Sequence, residues 1–267
     1  MDPVLLPLKQ CPVTGQRVHR TLLALLVVVA AAVRVAPGAE HPNVVVILVD
    51  DLGWKDLACQ GNVIHETPNI DRLAASGMRF TNAYSACTVC SPTRAAMMTG
   101  QYPARLHVTD WIPGHERPRA ALRIPDWRRE LPLESVTVAE RLKASGYATA
   151  SIGKWHLGDA RHAPESQGFD INIGGTDRGQ PPSYFAPYRI ATLPEGNRGE
   201  YLTDREAMEA QKFIRAHRQR PFFLYLPHHA VHTPIEGKKP VIAKYRQKAA
   251  GVDERRAAYA AMVESVD

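Results

Sequence analysis

The run Cys90-Ser91-Pro92-Thr93-Arg94, closed by Thr99-Gly100, places a nucleophilic sulfur beside a short helix. Ser91 reads as the cap and Pro92 as the first helical residue, since both types are favoured at those positions. Cys90 then sits just before a helix N-terminus, where amide N–H groups and the macrodipole favour negative charge. Such a place suits a bound anion and a developing oxyanion. Arg94 falls in the first turn, from which its guanidinium can reach back toward position 90, and Gly100 ends the helix. The spacing Cys87-Thr88-Val89-Cys90 also fits a structural pair, half of a metal site or a redox motif. No second such pair is present to complete four zinc ligands.

Three other groups carry candidate chemistry. Asp50-Asp51 follows an apolar run, and adjacent carboxylates can offer oxygens to a hard divalent cation or simply begin a solvated loop. In Gly153-Lys154-Trp155-His156-Leu157-Gly158, the lysine and histidine would share one side of an extended segment. The lysine can hold an anion, and the histidine can exchange a proton near neutral pH. A surface pair is the plainer reading. His228-His229-Ala230-Val231-His232 offers three imidazoles, but no fourth zinc ligand is spaced to join them.

The elements that must position these groups are legible as alternating strands and helices. Residues 43–49 are apolar and largely β-branched, which suits a strand buried on both faces of a parallel sheet. A helix is expected from Thr67 as cap, with Pro68 first and Gly77 just past its end. Thr137 and Glu140 fit a capping box, with Gly146 terminating that helix and a strand over residues 147–152 following. Thr203 and Glu206 fit a second capping box, on a helix running to about His217. Pro221 then introduces a strand over residues 222–226. Each strand is followed by polar residues, and ligands of open α/β sheets bind outside the carboxyl ends of strands. Residues 101–132 and 167–197, rich in Pro and in Arg with Trp or in Gly respectively, read as surface excursions that shape a pocket.

Composition bounds the rest. The chain has 267 residues, 45% hydrophobic and 22% charged, as expected of a globular domain. The net charge of +6 tolerates anionic substrates, but no Lys/Arg stripe with interleaved aromatics points to nucleic acid. Arg17, His19 and Arg20 precede an apolar run over residues 21–33, short for a membrane span and suited to an export signal. Residues 1–39 are therefore read as a signal peptide, with no stable membrane span. Cys59 and Cys87 could pair in an exported protein, although their spacing does not require it.

Taken in order, these motifs resemble the sulfatase family. Thr67-Pro68-Asn69-Ile70-Asp71-Arg72-Leu73 and Phe80-Thr81-Asn82-Ala83-Tyr84 extend the resemblance between the acid pair and Cys90. It implies an α/β, alkaline-phosphatase-like fold: a mostly parallel sheet with helices on both faces, residues 40–267 forming the N-terminal part of the catalytic domain. It also implies that a maturation enzyme oxidises Cys90 to formylglycine, whose hydrate attacks sulfate esters. Asp50, Asp51 and the modified Cys90 would bind Ca²⁺, with Mg²⁺ an alternative. Arg94 and Lys154 would steady the nucleophile, His156 would move protons, and His232, ahead of Thr233-Pro234, would serve the sulfate and the leaving group. The expected substrate is a sulfated small molecule or sulfated glycan, met outside the cytoplasm. Phosphate or phosphonate ester hydrolysis is an alternative within the superfamily, and a non-catalytic metal-binding remnant is another.

The chain departs from the family pattern after Asp267. An Asp with Asn or His and then Gly, which completes the metal site, and a later sulfate-binding lysine are not in this sequence. The fold is thus expected to be incomplete at its C-terminus, with an exposed apolar sheet edge, weak metal affinity and little turnover.

Overall fold

β1 (Val44–Val49) is the outer strand of a four-stranded sheet and, among the described residues, pairs only with β4 (Phe222–His228), in parallel. The structure, a computed structural model, describes residues 41–115, 119, 121–248 and 251–267. The expected signal peptide over residues 1–39 lies outside them. The strand order is β1-β4-β2-β3, with β2 spanning Ala148–Ile152 and β3 spanning Ile171–Ile173, and every pairing is parallel. All four carboxyl ends therefore meet at one edge of the sheet.

Period-two alternation divides the side chains between two layers. Phe223 and Tyr225 of β4 join Val44, Val46 and Leu48 of β1 against Ala95, Met98, Trp155 and Phe169. Phe222, Leu224 and Leu226 face the other way, onto Ala210 and Phe213. β1 departs from the expected two-sided burial. Val45 and Ile47 are 45% and 56% exposed, because no described element covers that face of the outer strand.

The helices are α1 (Pro68–Ser76), α2 (Cys90–Thr99), α3 (Pro103–Leu106), α4 (Val138–Ala144), α5 (Leu202–Ala216), α6 (Lys239–Lys248) and α7 (Glu254–Val266). α4 begins as its sequence directs: the Glu140 amide donates to Thr137 Oγ1 at 3.1 Å, and the Thr137 amide donates to Glu140 Oε2 at 2.7 Å. Thr137 Oγ1 also donates to the Gln167 carbonyl at 2.7 Å. Thr137→Ala should thus lower unfolding free energy by about 1–2 kcal/mol, measured by urea denaturation.

Three local readings need correction. α2 starts at Cys90, with extended Val89 as its N-cap, so Ser91 and Pro92 lie inside the first turn. Ser91 is spent on tertiary contacts instead of capping. α5 starts two residues early, with Tyr201 instead of Thr203 as its N-cap and without a side-chain cap, because Glu206 is committed elsewhere. Residues 167–197 are more than a surface excursion. They contain β3, and Tyr184, Tyr188, Ile190 and Leu193 form a separate core with Leu202, Val231 and Met262.

Candidate active site

The parallel register brings the residues singled out above to one end of the sheet. Val49 lies opposite His228. Beyond it, the Asp50 amide donates to the Ala230 carbonyl at 3.0 Å, and the Val231 amide donates to the Asp50 carbonyl at 2.8 Å. From β2, the Lys154 amide donates to the Pro227 carbonyl at 2.7 Å. Gly153 allows this approach: its φ is +120°, and a Cβ there would stand 2.1 Å from the Pro227 oxygen.

Asp50 is buried between two cations. Arg94 Nη2 is 3.2 Å from Oδ1, and Lys154 Nζ donates to Oδ2. Arg94 Nη1 donates to the Lys154 carbonyl at 2.7 Å, tying the two bases together. Burial would raise the Asp50 carboxyl, but the charges of Arg94 and Lys154 outweigh it and hold it at about 2. Burial and then the Arg94 charge pull Lys154 down, with Asp50 partly restoring it.

His156 is held just as definitely. Its Nε2 meets the Ile112 carbonyl, which can only accept, so Nε2 carries the proton. Nδ1 is left with its lone pair, 3.2 Å from Cys90 Sγ and 3.4 Å from Ser91 Oγ. Burial and the nearby Lys154 charge lower its pKa to about 3, so the ring is neutral across the physiological range. The segment is not extended, since His156 has φ +58°, yet Lys154 and His156 both point inward. Asp51 is the other left-handed non-glycine residue here, at φ +61°. Such conformations persist where surrounding structure imposes them, often at functional sites.

His232 Nε2 is 3.6 Å from Asp51 Oδ2. Cys90, His156, Asp51 and His232 line one cleft of about 1180 Å³, whose walls include Trp111, Ile112, Arg129, Arg178 and Gln180. Both long excursions therefore contribute walls. A hollow of about 230 Å³, which shares Asp51 and Cys90 with the cleft, is also lined by Asp50 and Arg94. Lys154 is fully buried and lines neither.

The remaining candidates sort themselves. Cys59, Cys87 and Cys90 are free thiols, so neither the Cys59–Cys87 nor the Cys87–Cys90 pair is bridged. The three histidines do not converge: His228 and His229 bind Glu206, and only His232 faces the cleft. Among the described residues, no group of three or more His, Cys, Asp or Glu side chains is arranged to hold a metal. Asp50 and Asp51 give a cation two carboxylates, fewer than the six to eight oxygens calcium takes, and the Asp50 oxygens are engaged by Arg94 and Lys154. These residues alone do not make a filled calcium site.

Sequence reasoning missed Ser91, the Ile112 carbonyl and Glu206. Only Glu206 left a signal: it interrupts the buried helical stripe of Leu202, Ala210 and Phe213.

Known proteins share both the sequence and the fold of this chain. Residues 42–267 match the Sulfatase family model. The chain is 37% identical to human (Homo sapiens) arylsulfatase A over 240 residues, covering 79% of this chain and 45% of that protein. It is 34% identical to N-acetylgalactosamine-6-sulfatase of Canis lupus familiaris over 242 residues, covering 82% and 45%. Among solved structures it is similar to Ps i-CgsB, with a TM-score of 0.69 at 30% identity, over 85% of this chain and 52% of that one. The chain thus spans about half the length of the relatives it matches. It belongs to the sulfatase family and has the alkaline-phosphatase-like fold.

Proposed function

We propose that this sulfatase-family chain hydrolyses sulfate esters at Cys90. The observation that carries the reading is the neutral His156, whose Nδ1 lone pair faces position 90 at 3.2 Å. Position 90 is half-buried, heads α2 and lines the cleft, as a modified nucleophile requires. Formylglycine there would supply an aldehyde hydrate, a hydroxyl nucleophile for the ester sulfur. His156 Nδ1 is placed to accept a proton from a hydroxyl at that position, and the Ile112 carbonyl keeps the required tautomer. The head of α2 and the Arg94 guanidinium favour negative charge beside Cys90. Lys154 acts behind Asp50, holding it ionised. His232, which lines the same cleft, would contact the sulfate and protonate the leaving oxygen. Asp50 and Asp51 are the carboxylates offered to a divalent cation, Ca²⁺ or Mg²⁺. Two carboxylates are short of a full site.

The substrate is a sulfated small molecule or sulfated glycan. The glycan is favoured by the cleft, which far exceeds a sulfate group, and by a structure of Ps i-CgsB in complex with k-i-k-neocarrahexaose. A formylglycine-generating enzyme is the implied maturation partner. The residue 1–39 leader supports export, and no helix among the described residues is long and apolar enough to cross a membrane.

Hydrolysis of nitrophenyl sulfate and nitrophenyl phosphate by the matured protein tests the reading. Sulfate release in preference to phosphate supports it. Preference for phosphate would make the chain a phosphate-ester hydrolase, and neither activity would leave a non-catalytic metal-binding chain. Gly179 adds a sharper check. A Cβ there would lie 2.6 Å from His156 Cε1, so Gly179→Ala should force the ring and the residue 179 backbone apart and disturb the ring's place beside position 90. A ring displaced by about 1 Å should lower kcat by on the order of 10²-fold, read from steady-state kinetics.

A further inference from the structure

Glu206 is fully buried on α5, where a carboxylate is costly unless each oxygen is bonded. Here each has its own imidazole: His228 Nδ1 is 2.7 Å from Oε2, and His229 Nδ1 is 2.6 Å from Oε1. A carboxylate only accepts, so both rings donate through Nδ1. Burial would raise the Glu206 carboxyl, but these two hydrogen bonds overcome it. A leucine would continue the apolar stripe of α5 and leave both Nδ1 groups without an acceptor.

What the two histidines hold is the strap from residue 228 to 232. It carries the Ala230 carbonyl and the Val231 amide that bracket the Asp50 backbone, and it ends at His232. From its other side the Tyr184 hydroxyl is 2.6 Å from the His229 carbonyl and 2.9 Å from that of His232. Glu206 also lies under the β2 turn: Oε1 is 3.5 Å from where a Gly153 Cβ would stand. One buried carboxylate thus sits against both turns that deliver Lys154, His156 and His232.

We propose that Glu206 is a positioning residue, a clamp on His228 and His229 that fixes the strap around Asp50 and sets His232 at the cleft. The clamp itself stands on geometry; its effect on turnover rests on the sulfate-ester reading.

Amide hydrogen exchange on the whole chain tests the clamp without any assay of activity. In Glu206→Gln, exchange at the Asp50 and Val231 amides should rise at least about tenfold, while Leu224 and Ala150 in the sheet change by less than about twofold. Phe213→Ala, which loosens α5 without touching the clamp, should instead raise exchange in the sheet as well. Equal changes at both sets of amides in Glu206→Gln, or none at Asp50 and Val231, would overturn the proposal. Should Glu206→Gln fail to fold, His229→Phe, whose ring has no N–H to donate, breaks one arm and must still act selectively on the Asp50 and Val231 amides. In matured protein, Glu206→Gln should lower kcat for nitrophenyl sulfate more than it raises KM. The selective exchange pattern in Glu206→Gln, together with no sulfate hydrolysis by the matured wild-type protein, would overturn the sulfate-ester reading and leave the clamp standing.

Discussion

Cys90→Ala should abolish sulfate-ester hydrolysis and leave the fold standing. Position 90 opens α2, where alanine is a favourable residue, and the Cys90 side chain is hydrogen-bonded only to His156 Nδ1. His156 keeps its Ile112 contact and lies 3.4 Å from Ser91 Oγ, so the ring stays in place. What disappears is the atom on which any nucleophile must be built. Loss of a nucleophile costs roughly 10⁴-fold or more in kcat, so the variant should fall to background against nitrophenyl sulfate. Its urea midpoint should stay close to wild type. A variant retaining a tenth of the wild-type rate would place the chemistry elsewhere.

Asp50→Asn should be the most destabilising conservative change in the site. The substitution preserves shape but removes the one negative charge between Arg94 and Lys154, both almost wholly buried. Breaking a buried ion pair in this way costs about 3–5 kcal/mol, because the remaining cations stay desolvated. The pH dependence follows from the same contacts. Asp50 titrates at about 2 when folded and near 3.8 when unfolded, so its contribution is fully present above the unfolded value. It is lost as pH falls through the folded value, and that difference corresponds to about 2 kcal/mol. Urea denaturation between pH 2 and 6 should show the gap between wild type and Asp50→Asn narrowing below pH 4. A gap independent of pH would mean that the carboxylate charge is not what stabilises the cluster.

Much of the fold was legible because local chemistry and tertiary structure agree. The apolar run ending in Asp50-Asp51 is a strand, and Thr137 with Glu140 caps a helix through both reciprocal bonds. The convergence of three strand ends followed from parallel pairing alone. Two of the failures share a cause, which is side chains taken by distant partners. Thr203 with Glu206 has the same spacing as Thr137 with Glu140, yet Glu206 turns to His228 and His229, more than twenty residues away in sequence. Ser91 has the chemistry of a cap but accepts the Ile112 amide at 3.2 Å. The exposure of Val45 and Ile47 depends on what lies beside β1 in space, which an apolar run does not record. The candidate residues were visible as types, whereas the His156 tautomer and the double neutralisation of Asp50 required coordinates.

The central claim is that Cys90 is the precursor of the nucleophile, and peptide mass tests it most directly. Trypsin should release residues 80–94 as one peptide, since Arg79 and Arg94 flank a stretch without Lys or Arg. After co-expression with a formylglycine-generating enzyme, fragmentation of that peptide should place an aldehyde at position 90 and an unmodified thiol at Cys87. A thiol persisting at Cys90, under conditions that convert another sulfatase in the same cells, would contradict the account.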